Sequence, residues 1–230
     1  MYTELLQLYQ HNFILTRFGN NGDGGYVIPQ DILKNCKNLI SCGISNDVSF
    51  ENDYIKFVPD LKIYAYDGTI NNFPSNNHIN FIWEKFNISL QDTNTTITLD
   101  SIFNKYNLSD HVCVKMDIEG AEYETLTNIG KNNFKKIDCL ILEIHNIYNR
   151  KMEFNNLINL INTEFALIHK HDNNCGQYFK AENTIFADVY ELTYINKQLL
   201  TNIVPITHET LPLNNLDYPN CNRITKIFLN

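Results

Sequence analysis

Three carboxylic acids stand close together in the chain: Asp117, Glu119 and Glu122. They follow the apolar residues 112–114 and lead into helix-forming residues, a pattern typical of a buried parallel strand that ends in acids. Ligands of open α/β sheets bind at this end of the strands. Carboxylates so close together repel one another unless a proton, a cation or a metal ion lies among them. The stretch therefore predicts a ligand site, although Glu119 and Glu122 would also stabilise the positive end of a following helix.

Two more protonatable residues, Glu143 and His145, end the next apolar run, residues 139–142. Side chains alternate along a strand, so both are expected on the same side. A lone histidine is more often an ordinary surface residue. Here it stands beside an acid at the end of a second strand, and we predict a functional role for both residues.

A glycine and an acid at the ends of two earlier strands suggest a nucleoside site. The first strand, residues 39–43, ends at Gly43, and the second, residues 62–66, is followed by Asp67, 24 positions further on (67 − 43). An acid at this place can accept the two hydroxyls of a ribose. The full Gly-x-Gly-x-x-Gly fingerprint of dinucleotide sites is absent, which favours a single nucleoside. Residues 67–69 could also be only a turn.

Two further segments carry candidate ligand-binding residues. The loop 17–28 contains four glycines with Asn and Asp; it could bring backbone close to a ligand, and a plain hairpin turn explains the glycines as well. His169 and His171 have the spacing of a chelating pair but lack a third ligand, so no metal site is predicted there. A long loop from there to Phe186 is expected to line the substrate.

The hydrophobic pattern alternates between strands and helices along most of the chain. Predicted strands cover residues 39–43, 62–66, 79–83, 112–117, 139–142, 165–169 and 188–195, the last one antiparallel to the sixth. Predicted helices cover residues 1–11, a segment after residue 44, and residues 99–106, 119–129 and 152–161. This order predicts an α/β fold with a Rossmann-like sheet.

Composition narrows the class of protein. The 230 residues carry a formal net charge of −8 with a pI near 5.3, which argues against a nucleic-acid partner because such surfaces concentrate Lys and Arg. No signal-like start and no apolar run long enough to span a membrane is found, so a cytoplasmic protein is expected. Six cysteines without a Cys-x-x-Cys pair predict reduced thiols rather than disulfides or a zinc site.

Taken together, these motifs resemble the FkbM-type methyltransferases, a family of class I O-methyltransferases that use S-adenosylmethionine. The resemblance covers roughly residues 17–195 and is carried above all by residues 115–122, which are fairly specific. Shorter matching segments are residues 23–26, 41–44, 66–68 and 142–143. It implies a single methyltransferase domain over 1–230, with a helix and glycine-rich loop at 1–38, a seven-stranded core sheet at 39–195 whose last strand is antiparallel, and a surface tail at 196–230.

The resemblance also implies a set of site residues. The cofactor-binding residues would be Asp23, Tyr26, Gly43, Ser45, Asp67, Gly68 and Asp117. The residues that bind the acceptor, typically a sugar or polyketide hydroxyl, would be Glu143, His171, Asn174 and Tyr178. The catalytic residues would be His145, Asp117 and Glu119.

His145 is the predicted general base for removing the hydroxyl proton, because its unperturbed pKa lies near neutrality, and Asp117 is the alternative. A metal ion is not expected to be required. A divalent cation held by Asp117, Glu143 and His145 could instead acidify the hydroxyl.

Two other classes of function remain open from the sequence. A nicotinamide-dependent sugar oxidoreductase would share the ribose-binding acid, although the missing glycine fingerprint counts against it. A non-catalytic protein on the same fold would bind cofactor or sugar without turnover. The acceptor is expected to be a small molecule or a carbohydrate, and the sequence leaves room for a homodimer.

Overall fold

The computed structural model describes residues 2–74, 79–181, 183–208, 210–222 and 228–229. The helices are α1 (Tyr2–Leu5), α2 (Gln30–Leu33), α3 (Ser49–Phe57), α4 (Leu99–Lys105), α5 (Glu122–Thr127), α6 (Lys131–Phe134) and α7 (Lys151–Glu164). The strands are β1 (Leu15–Phe18), β2 (Tyr26–Pro29), β3 (Asn38–Cys42), β4 (Lys62–Tyr66), β5 (Phe81–Glu84), β6 (Asn87–Ile88), β7 (Thr96–Ile97), β8 (Val112–Met116), β9 (Ile137–Ile144), β10 (Phe165–Asp172), β11 (Tyr178–Ala181), β12 (Thr184–Ala187), β13 (Tyr190–Asn196) and β14 (Phe228–Leu229).

Within the described residues, seven strands form the central sheet in the order β10-β13-β9-β8-β3-β4-β5. Strands β9, β8, β3, β4 and β5 run parallel to one another. Strand β13 lies antiparallel between β9 and β10. The predicted α/β fold, with seven strands and the last one antiparallel, is confirmed.

The middle of the sheet is buried on both faces, as its sequence requires. Every residue of β8 and β9 is buried. Leu140 and Leu142 pack into the core on one face, and Cys139 and Ile141 pack into the core on the other. Apolar runs of this kind are typical of parallel strands covered by helices on both sides.

Helix α7 covers one face of the sheet with a single apolar stripe. Its buried residues are Phe154, Leu157, Ile158 and Ile161, a spacing that puts them on one side of a helix. The helix predicted at 152–161 is therefore confirmed, with its ends one and three residues further out. Among the described helices, none has the length and apolar character needed to cross a membrane.

The N-terminal segment differs from its prediction. A helix was expected over 1–11, but α1 ends at Leu5, and Met1 lies outside the described residues. Leu8 instead bridges Leu167, and the Tyr9 amide donates to the Leu167 carbonyl at 2.9 Å. Strand β10 is the edge of the sheet, so the extended chain satisfies edge groups that a helix would leave unpaired.

The loop predicted to run to Phe186 contains a hairpin. Strands β11 and β12 pair antiparallel, and β14 from the C-terminal tail adds to β11 in parallel. The hairpin forms because Phe179 and Phe186 stack at 5.9 Å and pack against the central core. Tertiary packing thus overrides the polar, turn-rich local sequence.

The prediction that all cysteines are reduced is wrong for one pair. Cys175 and Cys221 form a disulfide across 46 residues of chain. The four free cysteines of the described residues are Cys36, Cys42, Cys113 and Cys139, and all are buried. The pair escaped detection because its partners lie far apart in sequence and meet only when the C-terminal tail folds back on the chain after β10.

Candidate active site at the carboxyl ends of the strands

Four predicted site residues lie at the same level on neighbouring strands: Asp67, Gly43, Asp117 and Glu143. In the register of the sheet, Tyr66 pairs with Cys42, Cys42 with Met116, and Met116 with Leu142. Each site residue comes directly after one member of this row. The parallel register therefore brings together residues that are spread over 100 positions of sequence, at the edge where such sheets bind ligands.

The turns that leave this edge contain residues in the left-handed backbone region. Gly43 and Ser45 follow β3 with φ of 75° and 45°, and Glu119 and Gly120 follow β8 with φ of 56° and 101°. Asn146 follows β9 with φ of 58°. Non-glycine residues in this region cost energy and cluster at functional sites. The left-handed turn also explains why the helix predicted from 119 begins only at Glu122.

Asp67 joins the turn after β3 to the end of β4. Its Oδ2 accepts from the Ser45 amide at 2.8 Å, and its Oδ1 accepts from the Thr69 amide at 2.8 Å and the Thr69 hydroxyl at 2.6 Å. Burial raises the pKa of the carboxyl, but these bonds and one from the Ile70 backbone outweigh it and lower the pKa. Asp67 is therefore an ionised acceptor at neutral pH.

The glycines of the turns after β3 and β4 make room for other protein atoms. A Cβ on Gly43 would collide with the backbone carbonyl of Asp117, so the glycine lets β3 and β8 approach at their ends. A Cβ on Gly68 would meet the Asn87 side chain at 2.5 Å. Lys115 then fixes the Gly43 turn, because its ammonium donates to the Gly43 carbonyl at 2.6 Å.

The glycine-rich loop delivers Tyr26 to the acid cluster. The loop connects β1 to β2, which pair as a hairpin, so the turn interpretation of its glycines is correct. At its end, the buried Tyr26 hydroxyl donates to Asp117 Oδ2 at 3.3 Å. Burial raises the pKa of Tyr26, and the negative charges of Asp117, Glu143 and the exposed Asp23 raise it more. The loop thus brings Tyr26 to the end of β8, and Asp23 lies exposed within the loop.

Four carboxylates surround the imidazole of His145. Its Nε2 lies 3.4 Å from Glu143 Oε1 and 3.5 Å from Glu119 Oε2. The same nitrogen is 3.8 Å from Asp117 Oδ1. On the other side of the ring, Nδ1 lies 3.5 Å from Glu122 Oε1. The three predicted catalytic residues, Asp117, Glu119 and His145, are therefore neighbours.

The charges around His145 change its acid–base behaviour. Burial alone would lower the pKa of the ring, but Glu122 and Glu143 outweigh burial and raise the pKa to about 11. A ring that holds its proton at neutral pH is a poor general base. His145 can act as the predicted base only after it has lost that proton.

Glu143 faces a second buried acid that the sequence gave no reason to select. Glu191 of β13 lies directly opposite Glu143 of β9 in the antiparallel register, and both side chains are buried. Burial raises the pKa of both carboxyls. Asn173 donates to Glu143 Oε1 at 2.7 Å, and Asn220 donates to Glu191 Oε1. Two asparagines thus hold two carboxylates that would otherwise repel each other.

The disulfide ties these two asparagines together. Cys175 follows Asn173 by two residues, and Cys221 follows Asn220 directly. Asn174 reinforces this connection between the two segments. Its side-chain amide donates to the Cys221 carbonyl at 2.7 Å, and its Oδ1 accepts from the Cys221 amide at 2.9 Å. We call residues 211–222 the C-terminal strap, since this segment crosses back over the end of β10.

A cavity of about 700 Å³ lies under the strap. Three of the four residues predicted to bind the acceptor line it: His171, Asn174 and Tyr178. The fourth, Glu143, does not line it, but it is bonded to Asn173 next to Asn174. The wall also contains polar and aromatic groups suited to a hydroxyl-rich ligand, namely Lys170, Asp172, Asp217 and Tyr218.

The His169–His171 pair has an acidic neighbour in the strap. Asp217 Oδ1 lies 3.0 Å from His169 Nε2 and 3.8 Å from His171 Nδ1. The Leu213 amide donates to Asp217 Oδ2 at 2.6 Å. This arrangement anchors the strap to β10. Within the described residues, only the group Asp117, Glu143 and His145 brings three ligand atoms within 4.8 Å of one another.

Comparisons with known proteins identify the family to which the sequence is similar. A family model described as the methyltransferase FkbM domain matches residues 15–177. A search of curated proteins finds no match.

Three solved structures are distantly similar to the chain. The fibrillarin pre-rRNA processing protein of Methanococcus jannaschii is 11% identical with a TM-score of 0.43, covering 81% of this chain and 83% of its own. The precorrin-6y C5,15-methyltransferase of Geobacter metallireducens is 10% identical with a TM-score of 0.38, covering 73% and 88%. A chain of a fibrillarin/Nop5p complex is 11% identical with a TM-score of 0.40, covering 83% and 97%. Likenesses this distant carry no argument about function.

Proposed function

The chain belongs to the methyltransferase FkbM domain family, and from this premise we propose that it is an O-methyltransferase acting on a hydroxyl of a sugar, either nucleotide-activated or part of a glycan. One observation carries the proposal. Asp67, an ionised acid of the kind that binds ribose hydroxyls, follows β4, and His145 follows β9 at the same sheet edge, with β3 and β8 between them. A donor nucleoside and an acceptor hydroxyl can therefore bind side by side.

The cofactor is S-adenosylmethionine, and the first half of the site fits it. The cofactor supplies an electrophilic methyl group on a sulfonium centre. We propose that Asp67 accepts ribose hydroxyls, although its lone pairs are already used by the Ser45, Thr69 and Ile70 amides and by the Thr69 hydroxyl. Of these donors, only the Thr69 hydroxyl can rotate away. We propose that the ribose takes the place of the Thr69 hydroxyl on Asp67.

The other predicted cofactor-binding residues shape the same space. Ser45 and Gly43 form the turn beside Asp67, and Gly68 follows it. Asp117 carries negative charge to the end of β8, where it favours the positive sulfonium. Tyr26 holds that carboxylate by its hydroxyl, and Asp23 adds charge from the loop.

The acceptor half has two parts, the acid cluster and the strap cavity. We propose that the sugar occupies the cavity lined by His171, Asn174 and Tyr178, and that its reacting hydroxyl reaches Asp117, Glu119 and His145. Orientation of the two reactants and removal of the proton are what the protein must supply, because displacement at carbon requires the attacking oxygen in line with the leaving group. Asp117 is the first candidate for the proton acceptor, and His145 can serve only once it has lost its own proton.

The test is methyl transfer from S-adenosylmethionine to a panel of nucleotide-activated sugars and glycans, read by product mass and by the position of the new ether. We expect an O-methyl product from at least one hydroxyl-rich acceptor. An N-methylated product, or no product from any acceptor while S-adenosylhomocysteine binds, would contradict the proposal. Binding of NAD in preference to S-adenosylhomocysteine would return the nicotinamide-dependent oxidoreductase as the better assignment.

The predicted cytoplasmic location stays a prediction. The disulfide speaks against it, because thiols of cytosolic proteins are kept reduced. Measuring the free thiols of protein taken from its native compartment decides the point. The predicted homodimer is tested by the mass of the protein in solution.

A further inference from the structure

We propose that Asp117, Glu143 and His145 bind a divalent cation, one ligand atom from each, and that this cation receives the acceptor hydroxyl. The statement that the cation receives the acceptor hydroxyl rests on the proposed function. The cation site itself is independent of that function, because it is argued from the geometry of three side chains.

The distances fit a common centre. Metal–ligand bonds of about 2.1 Å put ligand atoms about 3 Å apart when they are adjacent and about 4.2 Å apart when they are opposite. His145 Nε2 lies 3.4 Å from Glu143 Oε1 and 3.8 Å from Asp117 Oδ1. All three side chains offer atoms within 4.8 Å of one another. Only small rotations would be needed to close the shell.

The far side of the imidazole faces a carboxylate of the kind that orients metal-binding histidines, although at 3.5 Å His145 Nδ1 makes no hydrogen bond to it. Such a ring turns one nitrogen to the cation and the other to a carboxylate or carbonyl, which fixes its orientation. His145 Nδ1 faces Glu122 Oε1 at 3.5 Å, and Glu122 is fully buried. The Ile118 amide donates to the same Glu122 oxygen at 2.8 Å and holds it in place. Glu122, at the start of α5, would therefore orient His145, the proposed ligand at the end of β9.

One oxygen of the buried Glu143 carboxyl has no hydrogen-bond partner. The Glu143 side chain is 5% exposed, and its Oε2 has no hydrogen-bond partner, although its Oε1 accepts from Asn173. An unpartnered buried carboxylate oxygen is costly, and a cation is one of the few groups that removes the cost. A cation would also offset the repulsion between Glu143 and the buried acid Glu191, which lies opposite it in the sheet.

Two basic side chains around the site, Lys115 and Arg17, donate to backbone carbonyls. Lys115 donates to the Gly43 carbonyl at 2.6 Å. Arg17 donates to the carbonyls of Asn20, Gly22 and Leu216 at 2.5–3.0 Å. The negative charge of the cluster is therefore not neutralised by these two residues.

The donor set indicates which cation binds. Two carboxylates favour hard cations such as Mg²⁺ and Mn²⁺, and one imidazole favours transition metals, so Mn²⁺ satisfies both preferences. Three protein ligands leave about three positions of an octahedral shell for water and the acceptor. A hydroxyl bound there loses its proton more readily, and the exposed Glu119 carboxylate, 3.5 Å from His145 Nε2, can pass the proton to solvent.

The experiment titrates Mn²⁺ into the full chain after chelator treatment and its removal, and follows the free Mn²⁺ signal by electron paramagnetic resonance. We expect one Mn²⁺ per chain. Replacing a ligand, in Glu143→Gln or His145→Gln, should weaken binding by more than about 100-fold, and Glu122→Gln by about 10- to 100-fold. The matched controls Glu153→Gln and His111→Gln, on solvent-exposed side chains that make no contact with the three ligands, should bind Mn²⁺ like the wild type.

No stoichiometric binding to the wild type, or unchanged binding to His145→Gln, overturns the inference. Circular dichroism of each variant separates a lost ligand from a lost fold, and unfolding of both ligand variants leaves Glu122→Gln as the deciding comparison. S-adenosylhomocysteine binding is measured on the same samples by calorimetry. If that ligand binds and Mn²⁺ does not, the cation inference fails and the proposed function stands; the reverse result leaves the cation site and removes the methyltransferase chemistry.

Chelation then tests the catalytic role. The sequence predicts full activity after EDTA treatment, whereas a cation that receives the acceptor predicts a loss that Mn²⁺ or Mg²⁺ restores. Activity that survives EDTA while Mn²⁺ binds would overturn the role of the cation in catalysis.

Discussion

The two halves of the proposed site are positioned by different elements. The proposed cofactor half lies in the turns directly after β3, β4 and β8, where the parallel register aligns Gly43, Asp67 and Asp117. The proposed acceptor half depends on the strap, whose contacts with β10 and β13 join Asn220 to Glu191 and Asp217 to His169. Residues at the ends of apolar strands mark the first half in the sequence, whereas the second half forms only after the tail has folded back. Four variants separate the halves.

The largest effect is expected at the junction of the two halves. Asp117→Asn removes a charge that faces both the cofactor and the His145 cluster, while keeping the size of the side chain. We expect kcat to fall by about 10²- to 10⁴-fold, with weaker binding of S-adenosylhomocysteine. Steady-state kinetics and calorimetry measure the two effects. Asp110→Asn, on an exposed residue just before β8, is the control, and a near-wild-type rate for Asp117→Asn would remove that carboxylate from the mechanism.

Next in size is the loss of the disulfide. Replacing Cys175 and Cys221 together by Ser should lower the free energy of unfolding by about 2–4 kcal/mol, because the closed loop of 46 residues restricts the unfolded chain. The acceptor KM should rise while the affinity for S-adenosylhomocysteine stays the same. Denaturant unfolding of oxidised and reduced wild-type protein provides the comparison. Equal midpoints for the two forms would show that the strap is held without the disulfide.

Removing the ribose acceptor should give the opposite pattern. Asp67→Ala is expected to cost about 1.5–3 kcal/mol of S-adenosylhomocysteine binding, because it removes charge-assisted hydrogen bonds. The acceptor KM should stay close to that of the wild type. Asp60→Ala, which breaks only the exposed ion pair with Lys37, is the control. Unchanged affinity in calorimetry would move the nucleoside away from Asp67.

The same division explains what the sequence could predict. The row Gly43, Asp67, Asp117 and Glu143 was found because each residue ends an apolar strand, and a parallel sheet aligns such ends. Glu191 was not found, because it lies in the interior of an apolar strand and its importance comes from Glu143 on the neighbouring strand.

Features that depend on the strap were not predicted from the sequence, for the same reason. The disulfide, Asn220 and Asp217 all join residues whose proximity no local pattern reports. The pKa of His145 was misjudged because Glu122 and Glu143 reach the ring from two different elements.

The smallest effect is the sharpest test of the comparison, because two variants of similar stability should differ only in function. Asn220→Ala removes the donor that the strap provides to buried Glu191, and Thr98→Ala removes the hydroxyl that caps α4 by accepting from the Ser101 amide at 3.1 Å. Each should lower the free energy of unfolding by about 1 kcal/mol. If the strap forms the acceptor half, only Asn220→Ala raises the acceptor KM, and neither variant changes S-adenosylhomocysteine binding. An equal change of KM in both variants would mean that the acceptor half responds to global stability and not to the strap contact itself.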